Sequence, residues 1–156
     1  MPKSNSLPFI ILDSCLWVSF LTDDVPETAL RVQALIDNHN SKFQIVLPTL
    51  VYAEVLGVVR GKAVNQQESA LADVARVREF FDSHDFIIAE LDRVTARIAA
   101  DLVPKFLLKG ADAVVLATAQ LWEARHLYTN DNDLLKIGDR AEGVRISVPP
   151  ESDQLF

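Results

Sequence analysis

The sequence has a single cysteine, Cys15. One thiol excludes an internal disulfide framework and a Cys-rich zinc site. Only 5 Gly and 7 Pro are present, which excludes a collagen-like or Pro/Gly-rich chain. Long hydrophobic runs are missing as well. The longest, such as Phe9-Ile10-Ile11-Leu12 and Ala113-Val114-Val115-Leu116-Ala117, are far too short to span a membrane. Positive charge is scarce: 15 basic residues stand against 22 acidic ones, for a net charge of −7. That balance excludes a protein held to nucleic acid by a broad basic face. It leaves open an enzyme that handles phosphates through a metal, because the metal supplies the local positive charge. No Gly-x-Gly-x-x-Gly and no Gly-Lys-Ser/Thr loop occurs, so nucleotide-cofactor folds lose their main support. Residues 1–6 form a short polar start without a hydrophobic core, and no targeting segment is expected there. Together with the lone cysteine, this makes a reducing cytoplasm the expected compartment.

What is present is an ordinary globular mix, with 49% hydrophobic and 24% charged residues in a chain of 156. That length fits one domain with a real core, expected to span residues 1–156 with its ordered part over about residues 7–149. Short apolar runs alternate with longer stretches of helical period, which is the α/β pattern. Strands are predicted at Phe9-Ile10-Ile11-Leu12, Gln44-Ile45-Val46-Leu47, Phe86-Ile87-Ile88 and Leu127-Tyr128-Thr129. Residues 144–148 alternate like an edge strand. The first run is apolar on both faces, as a buried central parallel strand requires. Between the strands the spacing predicts helices. One covers residues 14–21, and the next begins near Asp24 as its cap. Another opens at Pro48-Thr49 and closes near Gly57 to Gly61. A polar connection follows at 62–67, then a helix over 68–81. Asp92 caps a further helix that Pro104 should kink or end. An alanine-rich helix runs over 111–124. The connections are long enough for crossover helices, so the expected fold is a three-layer α/β/α sandwich with a mainly parallel sheet of about five strands. In such sheets the working site lies at the carboxyl ends of the strands.

Four acids stand out against this frame. Asp13 and Asp131 each follow an apolar strand directly, which puts both at one end of a parallel sheet. Glu54 interrupts Leu50-Val51-Tyr52-Ala53-Glu54-Val55-Leu56, and Asp112 interrupts Gly110-Ala111-Asp112-Ala113-Val114. Buried unpaired, such an acid costs free energy, so it must be paired, placed at a cleft, or used as a ligand. Each has a plain structural alternative. Asp13 can be a helix cap, Asp131 a turn residue, Asp112 a first-turn acid facing a helix dipole, and Glu54 a residue of an exposed helix stripe or a partner of Arg60. As a set they describe a cluster that repels itself unless a divalent cation neutralises it. Magnesium prefers oxygen ligands, and two metals can stabilise both oxygens of an in-line phosphoryl displacement.

The segments Ile11-Leu12-Asp13-Ser14, Tyr52-Ala53-Glu54-Val55, Lys109-Gly110-Ala111-Asp112-Ala113 with Leu116-Ala117-Thr118-Ala119, and Tyr128-Thr129-Asn130-Asp131 resemble, in order, the four motifs of PIN-domain nucleases. The nearest resemblance is to the VapC-like toxins of toxin–antitoxin pairs, and it runs from about Phe9 to Val148. It implies a PIN-like fold and hydrolysis of RNA dependent on Mg2+ or Mn2+, with one or two ions. It also implies a small antitoxin partner and frequent homodimerisation. Carried over by position, Asp13, Glu54, Asp112 and Asp131 are the implied metal-binding acids. Ser14 and Thr129 are hydroxyls beside them, and Asp133 is a possible extra acid. Lys109, with Lys105, Arg60 and Lys62, is the candidate phosphate-binding rim, set against the default of solvated surface charge. The long segment 62–81 reads as a helical arm for dimerisation or substrate recognition.

The remaining signals point elsewhere. His39, His84 and His126 lack metal-ligand spacing and are expected at the surface or in caps. Cys15 is expected to be a small buried hydrophobe that does not touch the neighbouring acid. Trp17 and Trp122 are expected in the core or a dimer interface. A phospho-accepting Asp13 finds no partner pattern, since Cys15 stands where a second Asp is needed. Two rivals to the ribonuclease reading remain: a PIN-like module that binds RNA or protein without cutting, and a metal-dependent phosphatase or nuclease with another substrate.

Overall fold

A computed structural model describes residues 6–62 and 67–155, and of residues 67–72 the backbone alone. The strands are β1 Phe9–Leu12, β2 Gln44–Pro48, β3 Ile87–Ala89, β4 His126–Tyr128 and β5 Arg145–Ser147. They form one sheet in the order β3-β2-β1-β4-β5, and every pairing is parallel. β1 lies in the centre because its side chains are apolar on both faces: Ile10, Ile11 and Leu12 are fully buried. Ile10 is in register with Ile45 on one side and His126 on the other.

The helices among the described residues are α1 Ser14–Thr22, α2 Pro26–Asp37, α3 Thr49–Lys62, α4 Gln67–Ser83, α5 Arg93–Phe106, α6 Gly110–Leu121 and α7 Asn132–Leu135. From β1 the chain builds outward through β2 to β3, then crosses to the other side of β1 to form β4 and β5. The order therefore reverses between β1 and β4, a switch point of the kind at whose carboxyl ends α/β sheets bind their ligands. Asp13 and Asp131 follow these two strands. None of the described helices is long and apolar enough to cross a membrane.

Packing explains where local expectation fails. Asp24 does not cap α2. Pro26 sets the first turn with Val25 at the N-cap, and Asp24 pairs with Lys62 at the end of α3. Helix α3 runs through Gly57 and Gly61 to Lys62, where buried Val55 and Val59 hold it. Pro104 does not end α5, which continues to Phe106. In the last turn a proline forfeits only one hydrogen bond, and Leu107 closes the helix through its N–H to the Val103 carbonyl. The polar connection expected at 62–67 lies largely outside the described residues.

The expected helical arm is part of the core at its C-terminal end. Val77 and Phe81 are buried. The Trp17 ring lies 5.3 Å from that of Phe81 and 5.3 Å from that of Phe86. Trp17 is thus a core residue, while Trp122 is half-buried edge-on to Phe9 at 5.6 Å. The histidines are not simply superficial. His126 is buried in β4 and stacked on Tyr128, and burial, helped by Arg125 and Arg145, pushes its pKa down to about 4. His39 ties β2 to the turn before β3. Its Nδ1 accepts the Ile45 N–H at 3.0 Å, and its Nε2 meets the Asp85 carbonyl at 2.8 Å.

Candidate active site

Asp13 continues the sheet by one hydrogen bond, its N–H donating to the Tyr128 carbonyl at 2.9 Å. Its backbone is still extended, so the side chain turns over the start of α1. There Oδ1 accepts the Ser14 N–H at 2.8 Å. The capping alternative is therefore correct as far as it goes, but the other oxygen does more. Oδ2 accepts the Thr129 hydroxyl proton at 2.8 Å. The Thr129 oxygen in turn accepts the Asp131 N–H at 2.9 Å. One threonine thus links two of the acid-bearing positions, and it is fully buried.

Cys15 departs from expectation. Its Sγ lies 3.6 Å from Asp13 Oδ2, so it touches the acid, and it accepts the Asn130 N–H at 3.5 Å. Burial, and then the charge of Asp13, push its thiol up to about 11, so it stays protonated and can donate. The sequence offered a cue for this contact. Two residues after a cap, the chain has begun its first helical turn and the side chain folds back toward the capping carboxylate.

The other acids reach the same place from different elements. Glu54 sits on α3, where the Ser14 hydroxyl bonds its carboxylate. Its pKa is raised by burial and then by the charge of Asp13. Asp112 lies in the first turn of α6. Burial raises its pKa to about 6, with further upward contributions from Asp131, Asp13 and Glu54 and an opposing one from Lys109. Asp13 is raised as well, because burial outweighs the hydrogen bonds it receives. Asp131 caps α7, its Oδ1 accepting the N–H groups of Asp133 at 2.8 Å and Leu134 at 3.2 Å.

The structure therefore gathers Asp13, Glu54, Asp112 and Asp131 into one electrostatic neighbourhood, with Ser14 and Thr129 bonded to two of them. Asp133 stands apart: it is exposed and faces Lys136 at 3.7 Å. Of the candidate basic rim, Lys109 acts on Asp112. Lys62 is taken up by Asp24, and Lys105 by Glu142 at 3.8 Å. Arg60 is exposed, and among the described residues no ion pair joins it to Glu54. Sequence reasoning passed over Asn130, whose Nδ2 donates to buried Thr28 on α2 at 3.3 Å and anchors the loop after β4.

The donor set is all carboxylate oxygen, which suits a hard divalent cation such as Mg2+ or Mn2+. Beyond burial, part of the upward shift of Asp13, Glu54 and Asp112 comes from neighbouring acids, a repulsion that such a cation would relieve. As the side chains stand, no three of the described His, Cys, Asp and Glu residues are grouped tightly enough to hold an ion. Ligation therefore needs the carboxylates to draw inward.

The sheet is wholly parallel, and the acids collect at its carboxyl edge, where α/β sheets place their ligands. The PIN-domain family model matches residues 10–140, and the chain belongs to that family. No curated protein matches it. Among solved structures it is similar to VapC20 of Mycobacterium tuberculosis, described as a sarcin-ricin loop cleaving toxin. There the TM-score is 0.67 at 12% identity, over 87% of this chain and 98% of that one. It is also similar to a chain of the VapBC2 complex of Rickettsia felis bound to a promoter DNA fragment, with TM-score 0.61, 16% identity, and 88% and 96% covered. A toxin-antitoxin complex from Klebsiella pneumoniae gives TM-score 0.56 and 24% identity, over 91% and 98%. At these identities the likeness establishes the shared fold.

Proposed function

We propose that this single-domain chain is a divalent-metal-dependent endoribonuclease, the toxin of a toxin–antitoxin pair acting in the cytoplasm. Asp13, Glu54, Asp112 and Asp131 are its metal-binding acids. The observation that carries this reading is Asp112, whose carboxylate feels the charges of all three other acids although the four lie on four separate elements. The toxins and toxin-antitoxin complexes among its structural neighbours support the biological role.

In this reading Asp13 is the fixed member, since Thr129, Ser14 and Cys15 bind its carboxylate. Glu54 is oriented by the Ser14 hydroxyl. Asp112 and Asp131 complete the ring from the other side. One or two bound Mg2+ or Mn2+ ions would supply Lewis acidity toward water and toward a phosphodiester oxygen. Lys109, exposed at the mouth of the cluster, attracts the substrate phosphate. A homodimer and a small antitoxin are the proposed partners, and Asp133 is left to the surface.

The test is cleavage of a mixed set of labelled RNAs with Mg2+ or Mn2+, with a chelator, and with Asp112→Asn prepared identically. Cutting that requires the metal and disappears in the variant is expected. A variant that cuts as well as the wild type overturns the site assignment. Metal binding without cutting by a folded protein points to the non-cleaving module.

A further inference from the structure

Beside the acids, the corner between α5 and α6 carries a residue that local rules disfavour twice. Leu107 is 88% exposed, the most exposed of the large hydrophobic side chains described. It also holds a left-handed backbone, φ 55. The other non-glycine residues described with positive φ are Asp23, Asn40 and Glu123, all polar. A helix C-terminus of this kind asks for Gly or Asn. A leucine here gains no burial and bears backbone strain, and strain of this sort gathers at functional positions.

Its neighbours give the corner a character. Phe106 is half-buried, with the Lys105 ammonium 5.3 Å and the Arg140 guanidinium 5.8 Å from its ring centre; Lys105 also faces the exposed Glu142 at 3.8 Å, a surface pair weak enough for a phosphate to displace. Arg140 ends the segment that starts at Asp131, and among the described residues it makes no ion pair. It is held by the backbone carbonyls of Ile137 and Lys136 at 3.3 and 2.9 Å. Lys109, two residues past Leu107, acts on Asp112. Two chain segments, 105–112 and 131–140, therefore each run from an acid of the cluster to this corner, and the Phe106–Arg140 contact joins their far ends. In a chain of net charge −7, this is where cations and an exposed apolar side chain sit together beside the acids.

We propose that the Phe106-Leu107 corner, flanked by Lys105 and Arg140, is the surface that receives a single-stranded segment of the RNA, with Leu107 against an unpaired base and the cations on its phosphates. Apolar contact with base faces and salt-dependent cation–phosphate contacts are the two means by which unpaired strands are gripped. This rests on the ribonuclease reading above and adds where the strand lies.

The two components have different signatures. Anisotropy of a short labelled single-stranded RNA in chelator across a salt series gives Kd, and cleavage of the same RNA in Mn2+ gives KM and kcat. Leu107→Asn keeps a residue that tolerates the left-handed backbone, so its melting temperature should not fall. Its Kd and KM should rise about threefold to tenfold at every salt concentration, with kcat unchanged. Lys105→Gln and Arg140→Gln should each make the salt dependence shallower by about one phosphate contact. Leu30→Asn, at another widely exposed leucine, on α2, should leave all these values alone. Cutting by the wild type with Kd and KM unmoved in these variants overturns the corner and keeps the nuclease. Binding that weakens as described, without any cutting, keeps the corner and overturns the nuclease. Neither binding nor cutting overturns both.

Discussion

Thr129 has one proton to give. Its oxygen already accepts the Asp131 N–H, so that proton is directed to Asp13. Thr129→Val removes the donor while keeping the shape, and leaves a buried carboxylate short of a partner. Stability at neutral pH should fall by about 1–3 kcal/mol in denaturant titrations, and Thr129→Ser should restore most of it. Asp112 behaves in the opposite sense. Its folded pKa of about 6 lies above its ordinary 3.8, so ionisation works against the fold. Its contribution is harmless below pH 4, grows unfavourable as pH rises toward 6, and is constant above that. In chelator, Asp112→Asn should therefore be more stable than wild type above about pH 6 and no more stable near pH 4. The gain is about 1 kcal/mol once solvent screening of a partly exposed carboxylate is allowed for. Equal stability at all pH values would show that Asp112 is not in the cluster. The four acids were legible in the sequence because each breaks an apolar run or ends a strand. The engagement of Lys62 by Asp24 and of Lys105 by Glu142 was not, because each depends on a partner far along the chain.

Among the elements, strands were the most readable. β1 and β2 must bury both faces, and continuous apolar runs announce that requirement. Helix boundaries were less so. Asp24 has the chemistry of a cap, but Pro26 two residues on sets the start of α2, and Lys62 takes the carboxylate instead. Pro104 reads as a terminator, yet the packing of Leu102 and Phe106 carries α5 past it. The join between α1 and α4 is the most vulnerable. Trp17 on α1 meets Phe81 of α4 and Phe86 before β3, all in the aromatic core that fixes the helix opening at Asp13. Trp17→Ala should lower unfolding free energy by about 3–5 kcal/mol and weaken metal binding through loss of α1. Unchanged thermal melting would rule out that coupling.

For the molecule as a whole, charge and topology set what can bind. Four acids gathered from four elements predict stabilisation by divalent metal. At a metal concentration a hundred times Kd the gain is about 2.7 kcal/mol, seen as a rise of several degrees in melting temperature. Asp112→Asn should lose most of that rise, and an unshifted wild type would count against the metal site. Topology bears on association in a different way. The sheet ends on both sides in strands of three residues, β3 and β5. β5 is followed at once by Val148 and then Pro149-Pro150, which cannot extend a ladder. A visiting strand would find only about two backbone hydrogen bonds at either margin. The sheet is thus closed to growth at both margins by brevity, so the proposed second copy or antitoxin would have to dock through side chains and not by adding a strand.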